Sequence, residues 1–129
     1  MPRVKQVTAW VESRPGMLGE VAAAMGAKKV NVQAFMATNV GGRGAIRMVV
    51  DKPAAAGKVC AQRGWQMTED DLVQATLPDK PGSLGVVAAK LGAASINIDY
   101  AYVGTAKSAS KVNLYLSVSD VATALKVLR

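Results

Sequence analysis

Residues 79–98 read DKPGSLGVVAAKLGAASINI, and residues 13–32 read SRPGMLGEVAAAMGAKKVNV. Half of the aligned positions are identical, including both Pro-Gly pairs and the asparagine near the end of each stretch. Self-similarity at a long fixed period is the signature of a repeated structural unit. The sequence therefore predicts that one loop-and-helix motif occurs twice in this chain.

The residues around each motif predict the same order of elements. Val7, Ala9 and Val11 alternate with Gln6 and Thr8, as expected for a half-buried strand. Behind each Pro-Gly pair, apolar residues recur at helical spacing, and we expect them to form a buried stripe. These residues are Leu18, Val21, Ala22 and Met25, and then Leu84, Val87, Ala88 and Leu91. A second strand, a third strand and a second helix follow in each copy.

Each copy is therefore predicted to be β-α-β-β-α, and residues 65–69 add a fourth strand to the first copy alone. We predict an α+β fold of two ferredoxin-like βαββαβ domains in tandem, covering residues 1–69 and 70–129. The second domain lacks its last strand, which leaves a sheet edge open and favours a homodimer. Another protomer, residues 1–4, or no segment at all are the three alternatives for completing that edge.

The side-chain chemistry favours a protein without catalytic activity. The sequence has no histidine and one cysteine, Cys60, which removes the commonest general base and the commonest metal ligand. It also has no nucleophile–base pair and no phosphate-binding glycine loop. We therefore expect neither an enzyme nor a bound metal or cofactor. The lone cysteine and the lack of a long apolar run predict a cytoplasmic protein without a membrane partner.

The net charge of +7 resides entirely in residues 1–66. A basic half could attract nucleic acid. RNA-binding sheets of this shape, however, stack bases on paired aromatic residues of their central strands. The predicted third strands read AIRMVV and KVNLYL and carry no such pair. We therefore expect a solvated basic surface and no nucleic-acid partner.

The pattern of a strand, then [Arg/Lys]-Pro-Gly-x-Leu-Gly, a helix and [Val/Ile]-Asn-[Val/Ile] resembles the ACT domain, a regulatory module of metabolic enzymes. The resemblance covers nearly the whole chain, because the motif occurs twice. The chain is similar to tandem ACT proteins that carry no catalytic domain. It implies a regulatory or sensor protein that binds a small molecule, most often an amino acid. The alternative is a regulatory interaction subunit of a separate catalytic protein, such as a metabolic enzyme, without a ligand of its own.

The resemblance also implies where a ligand binds, namely between the loop after the first strand and the second strand of a neighbouring ACT domain, and thus at the interface of the two ACT domains. It assigns the ammonium and carboxylate contacts to Ser13 and Asn31 in one copy, and to Asp79 and Asn97 in the other. Backbone N–H groups at a helix start attract anions, which agrees with this assignment. The two asparagines could instead only end the preceding helix. The full set of predicted ligand-binding residues is Ser13, Arg14, Gly16, Met17, Leu18, Asn31, Val32, Asp79, Lys80, Gly82, Ser83, Leu84, Asn97, Ile98 and Asp99.

Overall fold

The structure, a computed structural model, describes residues 2–129 and contains six strands and four helices in that range. The strands are β1 (Arg3–Glu12), β2 (Val32–Val40), β3 (Arg43–Val50), β4 (Gln66–Pro78), β5 (Ile98–Thr105) and β6 (Lys111–Val118). The helices are α1 (Met17–Ala27), α2 (Pro53–Arg63), α3 (Ser83–Ala93) and α4 (Val121–Val127). In the described residues, none of these helices is long and apolar enough to cross a membrane.

The chain forms two compact units. The first comprises Lys5–Asp70, and the second comprises Asp71–Arg129 together with residues 2–4. The strand order is β2-β3-β1-β4 in the first unit and β1-β4-β6-β5 in the second. The prediction of an α+β fold with two ferredoxin-like units is therefore confirmed.

The N-terminal residues complete the sheet of the second unit. The Gln74 N–H donates a 2.9 Å hydrogen bond to the carbonyl of Pro2. Beside it, the Arg3 guanidinium lies 3.2 Å from the Asp71 carboxylate. Of the three alternatives that the sequence left open, the structure therefore contains the second, because residues 2–4 take the place of the fourth strand.

One face of each sheet packs against the helices and forms the core. In the first unit, Val7 lies opposite Met48 and Ala9 lies opposite Ile46, and all four are buried. In the second unit, the matching core residues are Val73, Ala75, Leu77, Leu114 and Leu116. The buried face of β1 is therefore the one that the alternation of Val7, Ala9 and Val11 predicted.

The predicted helical stripe is wrong at its first position in both copies. Leu18 is 41% exposed and Leu84 is 59% exposed, and Ala22 is also exposed. Helix α1 instead buries Met17, Val21, Ala24 and Met25. Apolar residues in this run fit two overlapping stripes, and periodicity alone does not choose between them. The packing selects the stripe that begins at Met17.

The prediction of a half-buried β1 is also wrong. Gln6 is 0% exposed and Thr8 is 2% exposed, although both lie on the face turned away from the helices. Ala45 and Val49 of the neighbouring β3 lie on the same face and are buried as well. Both faces of β1 are thus shielded from solvent along most of its length.

Candidate functional site

Two loops that precede helices carry the same backbone geometry. Gly16 and Gly82 both have φ of 89°, a left-handed conformation that glycine adopts without the steric cost of a Cβ. Neither α1 nor α3 receives a side-chain hydrogen bond at its start. The first N–H groups of a helix have no intrahelical acceptor. These two loops therefore present backbone N–H groups that could donate hydrogen bonds to an anion.

Helix α4 provides the contrast. Its start is capped by Asp120, whose carboxylate accepts a 3.0 Å hydrogen bond from the Thr123 N–H and a 2.6 Å hydrogen bond from the Thr123 hydroxyl. These hydrogen bonds lower the pKa of the Asp120 carboxyl. A side chain thus satisfies a backbone donor at the start of α4. At the starts of α1 and α3 the Met17 and Ser83 N–H groups donate only to loop carbonyls, those of Arg14 at 3.3 Å and Lys80 at 3.4 Å.

In the first loop, Arg14 is paired rather than free. Its Nη2 lies 2.9 Å from the Glu20 carboxylate and its Nε lies 3.2 Å from the Glu12 carboxylate. The hydrogen bond and charge of Glu20, with a smaller effect from Glu12, raise the pKa of Arg14. The two carboxylates outnumber the one guanidinium. In the second loop, Lys80 has no carboxylate partner among residues 2–129.

Within the first unit, Ser13 and Asn31 lie at opposite ends of β2. The Ser13 hydroxyl accepts a 2.8 Å hydrogen bond from the amide of Asn39, near the end of β2. The Asn31 N–H donates to Asp51 at 2.8 Å, just before β2 begins. Asn31 and Asn39 are eight positions apart along an extended segment, which corresponds to roughly 25 Å at about 3.3 Å per residue. The two predicted ligand contacts are therefore not brought together within this unit.

The second unit repeats this separation. The Asp79 N–H donates to the carbonyl of Ser110 in the β5–β6 turn at 2.9 Å. At the other end, the Asn97 N–H donates to the Ser119 hydroxyl at 3.0 Å, and its side-chain amide donates to Asp99 at 2.9 Å. At the start of α3, the buried Ser83 hydroxyl oxygen has no hydrogen-bond partner among the described residues.

The two asparagines do not end the helices before them. Helix α1 ends at Ala27 and is capped by Lys28 and Lys29, whose N–H groups donate to the carbonyls of Met25 and Gly26. The Asn31 side chain is exposed and makes no hydrogen bond in the part of the chain that the structure describes. Its counterpart Asn97 is held by Asp99. The side chain of Asn31 is thus available to a ligand, whereas that of Asn97 must first leave a carboxylate.

The sequence did not predict that the loop after β1 lies beside the end of β2 in its own unit. A cavity of about 230 Å³ lies between this loop and the far end of β2, and Thr38, Asn39 and Glu12 line it beside Ser13 and Leu18. A topological argument could have found them. Strands β1 and β2 both pair antiparallel with β3, so they run in the same direction. The loop after β1 must therefore lie beside the end of β2.

Each unit ends in an edge strand with exposed apolar residues. In the first unit the edge strand is β2, where Phe35 is 50% exposed beside the exposed Leu18 of α1. A cavity of about 270 Å³ lies between them and is lined only by apolar side chains. In the second unit the edge strand is β5, where Val103 is exposed, as is Leu84 of α3. These two α/β edges are the exposed apolar surfaces next to the loops.

The described residues offer little for metal or thiol chemistry. Residues 2–129 contain no cluster of three or more potential metal ligands. Cys60 is buried in the core of the first unit, and burial raises the pKa of its thiol. It packs with Ala56 and Val59 of the same helix as a small apolar side chain.

No protein-family model and no curated protein matches this chain. Solved structures do match it over nearly its full length. Protein BT0572 from Bacteroides thetaiotaomicron superimposes with a TM-score of 0.87 at 25% identity, covering 98% of this chain and 86% of that one. The fold is ACT-like.

Two further structures agree with this assignment of the fold. The ligand-free regulatory subunit of aspartate kinase from Thermus thermophilus has a TM-score of 0.70 at 14% identity, over 96% of this chain and 89% of that one. The regulatory subunit of aspartate kinase from Thermus flavus has a TM-score of 0.61 at 16% identity, with the same coverage. At these identities the likeness concerns the fold, and the ACT-like architecture extends through both units.

Proposed function

We propose that this protein is a non-catalytic regulatory protein that senses an amino acid. The observation that carries the proposal is the pair of uncapped helix starts behind Gly16 and Gly82, one in each ACT-like unit. The likeness in fold to two regulatory subunits of aspartate kinase supports a regulatory role. The site would take a free amino acid because its two charged groups need opposite kinds of partner.

The amino-acid carboxylate would accept hydrogen bonds from backbone N–H groups in the first turn of α1 or α3, where the helix dipole also favours negative charge. The ammonium needs oxygen acceptors, which Asn31 and Asp79 offer. Asn31 is the stronger candidate of the two asparagines, since Asn97 already donates to Asp99. We therefore expect the two sites to differ in affinity.

Within one unit, a loop and the start of its own second strand are roughly 25 Å apart, so we place the second half of the site in another protomer. The loop of one protomer would meet Asn31 or Asn97 at the open edge of its partner. Ligand binding would then stabilise the pairing of units, and this differential affinity is what an allosteric switch requires. The exposed apolar residues along both edges support pairing, and we propose that a homodimer supplies it.

The test is a calorimetric titration of the purified protein with each of the twenty amino acids. The proposal expects saturable binding of one chemical class without turnover, and loss of that binding in Asn31→Ala or Asn97→Ala. Gln62→Ala is the matched control, because Gln62 is an exposed amide on α2 that lines neither cavity at the first loop. Absence of binding by all twenty amino acids, or equal loss in the control, would contradict the proposal.

A second candidate is a regulatory interaction subunit that binds a separate catalytic protein and has no ligand of its own. The observation that favours it is the nearly full-length match to regulatory subunits solved as separate chains. Affinity purification of the tagged protein from its source cells would then recover one catalytic chain in constant ratio. That result without any amino-acid binding would select this candidate.

A further inference from the structure

A second, larger cavity lies in the first unit, on the other side of the Ser13–Arg14 loop from Thr38 and Asn39, and shares that loop with the 230 Å³ cavity. It has a volume of about 640 Å³, within the range typical of small-molecule sites. Its walls come from the end of β1 and the following loop, the turn between β2 and β3, and the end of α2 with the residues after it. Two tryptophans and three arginines line it, namely Trp10, Trp65, Arg14, Arg43 and Arg63.

Two of these arginines are stacked on the two tryptophans. The Arg43 guanidinium carbon lies 5.1 Å from the centre of the Trp10 ring, and that of Arg63 lies 5.6 Å from the Trp65 ring. A stacked guanidinium is weakly hydrated and keeps the donors on its edge available for bidentate hydrogen bonds. Both side chains are therefore held in orientations suited to bind an oxyanion.

Hydrogen bonds to β4 hold the Trp10–Arg43 stack in place. The Trp10 indole N–H donates a 2.8 Å hydrogen bond to the Thr68 hydroxyl of β4. Arg43 donates a 2.9 Å hydrogen bond to the Gln66 side chain on the same strand. These neutral partners orient Arg43 without neutralising its charge. The ring and the guanidinium are thus both tied to β4.

The charge balance of the cavity is positive. Arg43 and Arg63 form no ion pair with a carboxylate among residues 2–129, whereas Arg14 is shared between Glu12 and Glu20. Two guanidinium groups therefore face a common space with no anion of the chain committed to them. Hydrogen bonds from arginine to phosphate or carboxylate are among the strongest in proteins, because both partners are charged.

We propose that this cavity binds a small molecule carrying at least two negative charges on phosphate or carboxylate groups. Arg43 and Arg63 contact the anionic groups, and the indoles of Trp10 and Trp65 hold the two guanidiniums in place. The cavity adjoins the proposed amino-acid site, since both include the loop of Ser13 and Arg14, but Arg43 and Arg63 belong to the cavity alone. A second effector could therefore act on the same loop.

The chain itself contains the reporter for a test. Its only two tryptophans both line this cavity, so all intrinsic tryptophan fluorescence comes from side chains at the proposed site. The full-length protein is titrated with pyrophosphate, AMP and citrate, and with sodium chloride at matched ionic strength. Adenosine tests whether the base binds without the phosphate. Calorimetry provides a readout that does not depend on the stacked rings.

We expect saturable binding of at least one of the three anions and none of adenosine. Binding of pyrophosphate and AMP alone would assign the site to phosphates, and binding of citrate alone would assign it to carboxylates. Arg43→Gln and Arg63→Gln should each weaken binding roughly tenfold or more, because each removes a charge-assisted hydrogen bond. Lys58→Gln removes the same charge from α2 outside the cavity and should leave the affinity unchanged.

Two outcomes overturn the proposal. One is the absence of any saturable response beyond that of sodium chloride. The other is an equal loss of affinity in Lys58→Gln, which would assign the effect to the net charge of the protein. Circular dichroism establishes that each variant is folded, and Arg63→Lys, which keeps the charge but loses the bidentate geometry, should bind with intermediate affinity.

Discussion

The Ser13 hydroxyl accepts a hydrogen bond from the side-chain amide of Asn39, with a donor–acceptor distance of 2.8 Å. The carbonyl oxygen of the same amide accepts a 3.0 Å hydrogen bond from the Gly42 N–H in the next turn. Asn39 thereby connects the loop before α1 to the turn between β2 and β3. Asn31, at the other end of β2, has no such structural contact through its side chain.

Replacement of these two asparagines should therefore have different effects on stability. We expect Asn39→Ala to lower the free energy of unfolding by about 1 kcal/mol, because it removes two partly exposed hydrogen bonds. Asn31→Ala should change it by well under this amount. Urea denaturation of both variants measures the difference. Equal losses would mean that the Asn31 side chain has a structural role after all.

The sequence predicted the elements well because the repeat and the alternation of apolar residues are strong signals. A second helix was predicted after the third strand of each copy, and the structure has α2 at Pro53–Arg63 and α4 at Val121–Val127. The orientation of α1 was not predictable, since Leu18 and Met17 are both apolar and only packing decides which one is buried. The amphipathic pattern predicts that the segment is a helix, but it does not determine which face of the helix is buried.

The candidate site was predictable in its loops but not in its pairing. The Pro-Gly pairs predicted a loop before each helix, and in the structure Gly16 and Gly82 hold these loops in a left-handed conformation without a side-chain cap. The distance between Ser13 and Asn31 depends on the direction of β2, and the Trp10–Arg43 stack depends on the β1–β3 register. Such contacts join residues far apart in the sequence, and neither spacing nor composition encodes them.

Removal of residues 1–4 should loosen the edge of the second unit. The Gln74 N–H would lose its acceptor on Pro2, and the Arg3–Asp71 ion pair would be lost as well. We expect the Gln74 amide to exchange with solvent much faster in the truncated protein, as measured by hydrogen–deuterium exchange. The Asp51 amide, which bonds to Asn31 in the first unit, is the internal reference. Unchanged protection of Gln74 would contradict the role assigned to the N-terminal residues.

Glycine should stabilise the protein at position 29, just after α1, and destabilise it at position 28. Lys29 has φ of 58°, in the left-handed region that costs a residue with a Cβ about 1 kcal/mol or more. Lys28 has φ of −104°, which suits lysine. Lys29→Gly should therefore raise the free energy of unfolding by roughly 0.5–1 kcal/mol, whereas Lys28→Gly should lower it. Both variants remove one positive charge, so thermal unfolding compares them directly, and a gain in both would indicate a charge effect instead.

Asp120 should contribute to the pH dependence of stability. Hydrogen bonds from Thr123 lower the pKa of its carboxyl in the folded state. Its contribution is therefore fully present above the unfolded pKa, near 3.9, and is lost as the pH falls through the lower folded value. Asp120→Asn keeps an acceptor for the Thr123 N–H but does not titrate.

The difference in urea midpoint between the wild type and Asp120→Asn should accordingly be largest near pH 7 and shrink below about pH 4. Asp120→Ala, which removes the cap altogether, should be less stable than Asp120→Asn at neutral pH. A difference that stays constant across this pH range would contradict the assignment, because it would mean that the carboxyl has the same pKa in both states.

The apolar edge of the first unit should determine self-association if the proposed homodimer forms. Phe35 lies on the same face of the sheet as the buried Met48, yet it is 50% exposed next to Leu18. Burial of such a side chain in an interface contributes about 1.5–3 kcal/mol, so Phe35→Glu should raise the dimer dissociation constant at least tenfold. Analytical ultracentrifugation over a range of concentrations measures that constant.

Ala61→Glu provides the matched control for this experiment, because it adds the same charge to an exposed position of α2. We expect it to dimerise as the wild type does. A wild-type protein that remains monomeric at all concentrations would overturn the homodimer. Dimerisation of Phe35→Glu with wild-type affinity would instead move the interface away from β2, and the edge of β5 with Val103 would then be the next surface to change.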